Sequence, residues 1–170
     1  MDDAPTPAAA DFDPPLVPAL TRRERWLLRA INLYPPYLGA GIRARPVAGR
    51  RAVDVSMNLH VWNRNYFGTH FGGSLYSMCD PFLALLLVGG LGGLEAGYIV
   101  WDKAAEIRFR RPGRGRVGGR FEITPERLAE IRADVDERGT VEPRFEVEIR
   151  DEAGKVVARV DKLLYVRKKE

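Results

Sequence analysis

Cysteine and histidine are scarce: the 170-residue sequence holds one cysteine, Cys79, and two histidines, His60 and His70. A single thiol rules out an intrachain disulfide and gives no support to secretion. Two histidines make a histidine-rich metal centre unexpected. Long hydrophobic runs are missing as well. The longest, about Pro81 to Val88, falls far short of the ~20 residues of a membrane span. Neither sign of charge dominates, since 27 Lys and Arg stand against 23 Asp and Glu for a net charge of +4. That mild excess suits an anionic small molecule as well as nucleic acid. The basic residues are interspersed with acids and build no aromatic-rich basic face, which argues against a nucleic-acid module. The start, "MDDAPTP", lacks the basic and apolar regions of a signal peptide. A cytoplasmic protein with one domain is the expectation.

Residues 1–18 carry five prolines and four alanines, with little that can pack, and read as a mobile tail. Thr21-Arg-Arg-Glu24 has capping-box spacing. Trp26, Leu27, Ala30 and Ile31 then recur at helical intervals, so an N-terminal helix within 19–37 should end before Pro35-Pro36. From Leu38 the period becomes two. A strand near 38–47 would turn at "AGRR", and Val53, Val55, Met57 and Leu59 alternate with polar residues in the next. Ala105, Ile107 and Phe109, then Val117, Phe121 and Ile123, then Phe145, Val147 and Ile149 repeat that alternation, and "DEAG" leads into a last strand ending near Val166. Residues 125–137 open with proline and predict a short surface helix. Between the second and third strands, about Gly73 to Val88, lies a helix apolar on nearly every side, which must be buried. The economical answer is an α+β fold: an antiparallel sheet of about six strands, residues 38–170, curled around one long central helix.

"NYFGTHFGGSLYSMCD", residues 65–80, puts a carboxylate beside the charge-free "PFLALLLVGG". Buried there it is costly unless paired or used. Asp80 has two readings. Asp-Pro is a common helix start, with Asp80 as N-cap and Pro81 as first helical residue. Alternatively the helix begins near Gly73, Asp80 lies two turns in, and Pro81 kinks it and leaves the Ser77 carbonyl unpaired.

This stretch and the fold order resemble the hotdog-fold acyl-CoA thioesterases, nearest the branch of the phenylacetate-pathway enzymes and their mitochondrial relatives. Their loop reads Asn-x-x-Gly-x-x-His-Gly-Gly, with an acid seven positions after the second glycine. Asn65, Gly68, Gly72, Gly73 and Asp80 match it. "GTHFGGSLYSMCDP" and "WDKAAEIRF" resemble more specifically a hotdog subfamily catalogued as a domain of unknown function. Phe71 takes the family's histidine place and His70 stands one step earlier. The resulting "HFGG" is similar to the "HFPG" of hotdog acyl-carrier-protein dehydratases, but the place of their glutamate is Ala84.

The resemblance implies thioester hydrolysis. Gly73 or Gly72 N–H groups at the helix start, with the Asn65 amide, would polarise the carbonyl, and Asp80 would act as base or nucleophile. Apolar surroundings would raise the Asp80 pKa. Asp102 falls where some members carry a serine that orients the water; otherwise Asp102-Lys103 is an ion pair at a strand edge. Arg111, with Arg110, Arg114 and Arg116, could hold the phosphates of coenzyme A or form a solvated turn. Gly68 and His70 complete the expected substrate loop, and Cys79 reads as a small core residue. Coenzyme A enters only as part of the substrate, with no metal or redox cofactor. The resemblance also implies a homodimer or dimer of dimers with shared sites. The rivals are a non-catalytic acyl-CoA binder and a 3-hydroxyacyl dehydratase.

Overall fold

The computed structural model describes residues 19–169, so the expected tail at 1–18 lies outside the described residues. Helix α1, Arg22–Ala30, starts with a complete capping box: the Thr21 hydroxyl accepts from the Glu24 N–H at 3.2 Å, and the Glu24 carboxylate accepts from the Thr21 N–H at 2.7 Å. A short 3-10 turn, Ile31–Leu33, carries the chain to Tyr34. The strand expected near 38–47 is present but starts only at Ile42. Helix α2, Pro35–Ala40, precedes it and ends at Gly41. Pro35 and Pro36 therefore start a second helix as well as stopping the first. In a first turn the missing proline N–H has no partner to lose.

The strands are β1 Ile42–Pro46, β2 Ala52–Asn58, β3 Tyr98–Phe109, β4 Arg116–Glu122, β5 Thr140–Val141, β6 Arg144–Asp151 and β7 Val156–Lys168. They form an antiparallel sheet in the order β1-β2-β4-β6-β7-β3, and the two-residue β5 adds to β7. β5 is one strand more than the alternation revealed. The central helical run spans Gly72–Gly90 in two pieces, α3 Gly72–Ser77 and α4 Phe82–Gly90. By length and apolarity alone this 19-residue run could cross a membrane. The sheet covers it instead: Phe82, Leu83, Leu86 and Leu87 are buried against Val55, Phe121, Ile149 and Val160, and the Phe82 and Phe121 rings stand 5.4 Å apart. This is the hotdog arrangement that the resemblance implies. Helix α5, Pro125–Arg138, falls where it was expected but lies less on the surface, because Leu128, Ile131 and Val135 are buried.

The break between α3 and α4 falls at Asp80-Pro81, whose peptide bond is cis. Pro81 brings no N–H, so the α-helical ladder stops. The Ser77 carbonyl is nevertheless paired: it accepts from the Asp80 N–H at 3.2 Å, tightening the last turn. Among the described residues strand β3 pairs only with β7, which leaves its outer edge open. Its register shifts between Asp102 and Ala104, so Lys103 is an extra, bulged residue. Asp102 thereby takes the inward place that unbroken alternation from Ala105 and Ile107 would assign to Lys103.

Candidate active site

The loop before α3 is built by asparagines. Asn63, buried, donates to the carbonyls of Ala40 and Asn58, both at 2.7 Å, and accepts from the His60 N–H at 2.9 Å. Asn65 donates to Thr69 Oγ1 at 2.9 Å and to the His70 carbonyl at 3.3 Å, while its Oδ1 accepts from the N–H groups of Phe67 and Thr69. Both amide donors of Asn65 are thus engaged inside the loop rather than aimed outward. Gly68 turns the chain at φ 71°, where a side chain would be strained. His70 is buried, and its Nε2 lies 2.9 Å from the Gly115 carbonyl, which makes Nε2–H the donor and leaves Nδ1 buried with no partner among the described residues. Burial holds the ring below its ordinary pKa, against the pull of the Gly115 carbonyl. The arrangement fits a neutral histidine that pins the loop to the β3–β4 turn.

Among the described residues no side chain caps the start of α3, and the N–H groups of Gly72 and Gly73 meet no carbonyl outside it. First-turn N–H groups have no partner within a helix, so both are open to an acceptor. The lack of side chains also fits close quarters: a Cβ at Gly72 would stand 3.0 Å from the Phe109 ring, and one at Gly73 2.4 Å from the Phe71 ring.

Asp80 does not cap α4, whose N-cap is Pro81 with no side-chain bond. Its main-chain carbonyl accepts a short hydrogen bond from Tyr37 Oη on α2, so the N-terminal segment fixes the turn. Its side chain is 48% exposed, against the expectation of desolvated surroundings. Burial falls on the neighbours instead. Lys162 of β7, with a side chain 1% exposed, places Nζ 3.5 Å from Asp80 Oδ1 and 2.9 Å from Asp102 Oδ1. The Tyr76 ring covers the same Nζ at 5.6 Å. Burial, then a hydrogen bond with Asp80, pushes the Asp102 carboxyl up from its ordinary value against the pull of Lys162. Burial pushes Lys162 down, but Asp102 and Asp80 outweigh it and its pKa is raised.

Comparison with known proteins bears on the family and the fold. The family model described as "Domain of unknown function (DUF4442)" matches residues 23–166. The chain belongs to the DUF4442 family. Its structure is similar to PA5026 of Pseudomonas aeruginosa, described as a protein of unknown function and probable thioesterase. That likeness has 26% identity and a TM-score of 0.68, over 89% of this chain and 99% of that one. The thioesterase HI1161 of Haemophilus influenzae shares the fold at 16% identity and TM-score 0.64, over 90% and 96% of the two chains. So does the PaaI protein of the Escherichia coli phenylacetic acid degradation operon, at 17% and 0.55, over 87% and 95%. No curated protein matches the sequence.

Of the residues expected at the site, Asp80 and Asp102 meet through Lys162, which the sequence reading missed. The alternative reading of Asp102, an ion pair with Lys103, does not hold: Lys103 bonds Glu142 at 2.5 Å and points the other way. Cys79 is fully buried, its thiol pushed up to about 12 by burial, as suits a core residue. Arg114 reaches the Gly68 carbonyl and Arg116 the Ser56 hydroxyl, whereas Arg111 is exposed, with no side-chain partner among the described residues. A signal for Lys162 was present: it falls in phase with Val160, Leu164 and Val166, and a lysine on an apolar strand face needs an acid. Among the described residues no three His, Cys, Asp or Glu side chains group as metal ligands.

Proposed function

We propose that this protein hydrolyses the thioester of an acyl-CoA or acyl-carrier substrate. The observation that supports it most is Asp80: a half-exposed carboxylate at a break in the core helix, tied to a second carboxylate and a buried lysine, and not spent as a cap. Asp80 takes a proton from water as the oxygen bonds to the carbonyl carbon. The developing oxyanion accepts from the Gly73 and Gly72 N–H groups. The C–S bond then breaks and the leaving thiolate takes that proton from Asp80, which restores the carboxylate. Asn65 and Gly68 shape the loop that presents the glycines, His70 anchors it, and Arg111 offers a charge to coenzyme A phosphate. The reaction requires neither metal nor redox cofactor.

The site is shared between two copies of the chain. The support is the resemblance to the hotdog thioesterases, in which each site takes the glycine loop from one copy and the acid from the other. The open edge of β3, with Trp101 and Phe109 exposed, offers a second copy its place. A homodimer, or a dimer of dimers, then brings one chain's glycines to the other chain's Asp80.

The test is thiol release over short, long and aromatic acyl-CoA esters, with Asp80→Asn as control. Release from at least one ester that the variant abolishes is expected. Tight acyl-CoA binding with no release from any ester overturns the reading in favour of a non-catalytic binder. Dehydration of a 3-hydroxyacyl thioester overturns it in favour of the dehydratase.

A further inference from the structure

The inner face of β7 carries Val160, Lys162, Leu164 and Val166, all buried. A lysine in that row is costly unless opposing charges hold it. The fold brings two. Antiparallel residues directly opposite each other share a face, and the register sets Ala105 opposite Lys162 and Asp102 opposite Leu164. The bulge at Lys103 is what allows Asp102 to face inward beside Lys162. Asp80 arrives from the helix break on the other side. The result is one ammonium with carboxylate oxygens at 2.9 and 3.5 Å, and side-chain exposure falls from 48% at Asp80 through 27% at Asp102 to 1% at Lys162.

Both carboxyl groups sit on one ammonium, at 3.5 and 2.9 Å, and Asp80 is among the causes that push Asp102 up; two carboxyl groups that close can bond each other only by sharing a proton. Other ionisable groups at the cluster stay silent. Burial, then the nearby Asp80 charge, raises Tyr37, burial pushes Cys79 up to about 12, and Tyr76 contributes the face of its ring. Three charges remain to set one another's protonation.

We propose that Asp80 and Asp102 act as one carboxylate dyad held by Lys162, with Asp80 the reacting member, Asp102 the partner that shares its proton, and Lys162 a positioning residue that sets how tightly that proton is held. The proposal rests on the hydrolase reading but has a readout of its own. Before attack both carboxylates are ionised beside the ammonium, for a cluster charge of about −1. One proton leaves water for Asp80 as the C–O bond forms, and the two carboxyls share it. The same proton passes to the thiolate as the C–S bond breaks, so nothing else is consumed. The proton-free dyad is the active form, and kcat/KM rises with pH through the upper apparent pKa of the pair.

Removing a cation and removing an anion must move that step in opposite directions. Lys162→Met takes away the charge that favours ionisation, so the acid limb of kcat/KM shifts to higher pH. Asp102→Asn takes away the like charge and the proton-sharing partner, so the limb shifts to lower pH. Each shift should be about one to three pH units, the usual effect of one adjacent charge. Lys162→Arg keeps the charge and should hold the limb where the wild type has it. Titration of 13C-labelled aspartate carboxyls by NMR reads the same displacements without any turnover. Opposite shifts in both measurements are expected. Unmoved steps, or shifts of one sign, overturn the proposal even if activity or stability falls, since a structural lysine would do only that. Should Lys162→Met fail to fold, Asp102→Asn decides alone, and an unmoved carboxyl step overturns the dyad. If the carboxyl shifts are present and no acyl-CoA ester is cleaved, the dyad stands and the hydrolase reading falls.

Discussion

Asp80→Asn separates the two meanings that an aspartate before a proline can have. The change keeps the size and the main-chain carbonyl, so the hydrogen bond from Tyr37 is retained. No cap is lost, because α4 takes none from this side chain. What disappears is a 3.5 Å ion pair on a side chain 48% exposed, while Lys162 keeps its 2.9 Å bond to Asp102. A pair of that kind contributes up to about 1 kcal/mol, or roughly 2 to 4 °C in Tm at this chain length. The chemistry should suffer far more. Losing a positioned base slows turnover by ~10²–10⁴-fold, which is roughly 3 to 5 kcal/mol of barrier. Thiol release and thermal unfolding measured on one preparation give both numbers. Unchanged turnover together with a Tm drop of many degrees would refute the argument and return Asp80 to a structural role.

Shared sites predict complementation: Asp80→Asn and Asn65→Ala, each inactive, should regain roughly a quarter of wild-type activity when unfolded and refolded together, because random pairing makes about half the dimers mixed. No recovery in well-mixed dimers contradicts sharing. His70→Ala should slow thiol release much less than Asp80→Asn, since His70 faces the Gly115 carbonyl and not the substrate. The lowered His70 pKa also has a sign: the unfolded chain binds the proton more readily, so His70's contribution is present above the unfolded value of about 6.5 and is lost as pH falls through the folded one. Tm against pH should therefore decline below about 6.5 and flatten in the variant; an identical slope in both speaks against the buried neutral ring. Tyr37→Phe removes the hydroxyl that holds the Asp80 carbonyl and should cost about 1 kcal/mol in denaturant unfolding, with a smaller fall in kcat than Asp80→Asn; an unchanged unfolding midpoint would show that the bond contributes nothing.

The parts of the fold that follow from period and charge were legible. Alternating strands such as Val53 to Leu59 bury one face, and a run with no charge must sit inside, so sheet and central helix could be placed from residues alone. Pro81 announced the break in that helix, because a proline without an N–H ends a ladder. Three features were hidden by tertiary context. Pro35-Pro36 suits the first turn of a helix and the end of another equally, and only the packing of Tyr37 decides for α2. A bulge leaves no mark on composition, so the residues alone left Asp102 open between a place in the site and an ion pair with Lys103. Lys162 belongs to no motif, and only its phase with Val160 and Leu164 puts it inside. Asn65 was found by motif, but its bonds to Thr69 and His70 show loop construction, work it shares with Asn63.

The most direct test of the central claim is a single turnover in H2 18O, with protein in excess over an acyl-CoA ester that it cleaves. Asp80 acting as base delivers solvent oxygen straight to the carbonyl carbon. The first turnover should release acid carrying one 18O, and the peptide containing Asp80 should remain unlabelled by mass spectrometry. Unlabelled acid together with 18O in that peptide would contradict the account, because the oxygen would then have come from Asp80 itself through an acyl-enzyme anhydride.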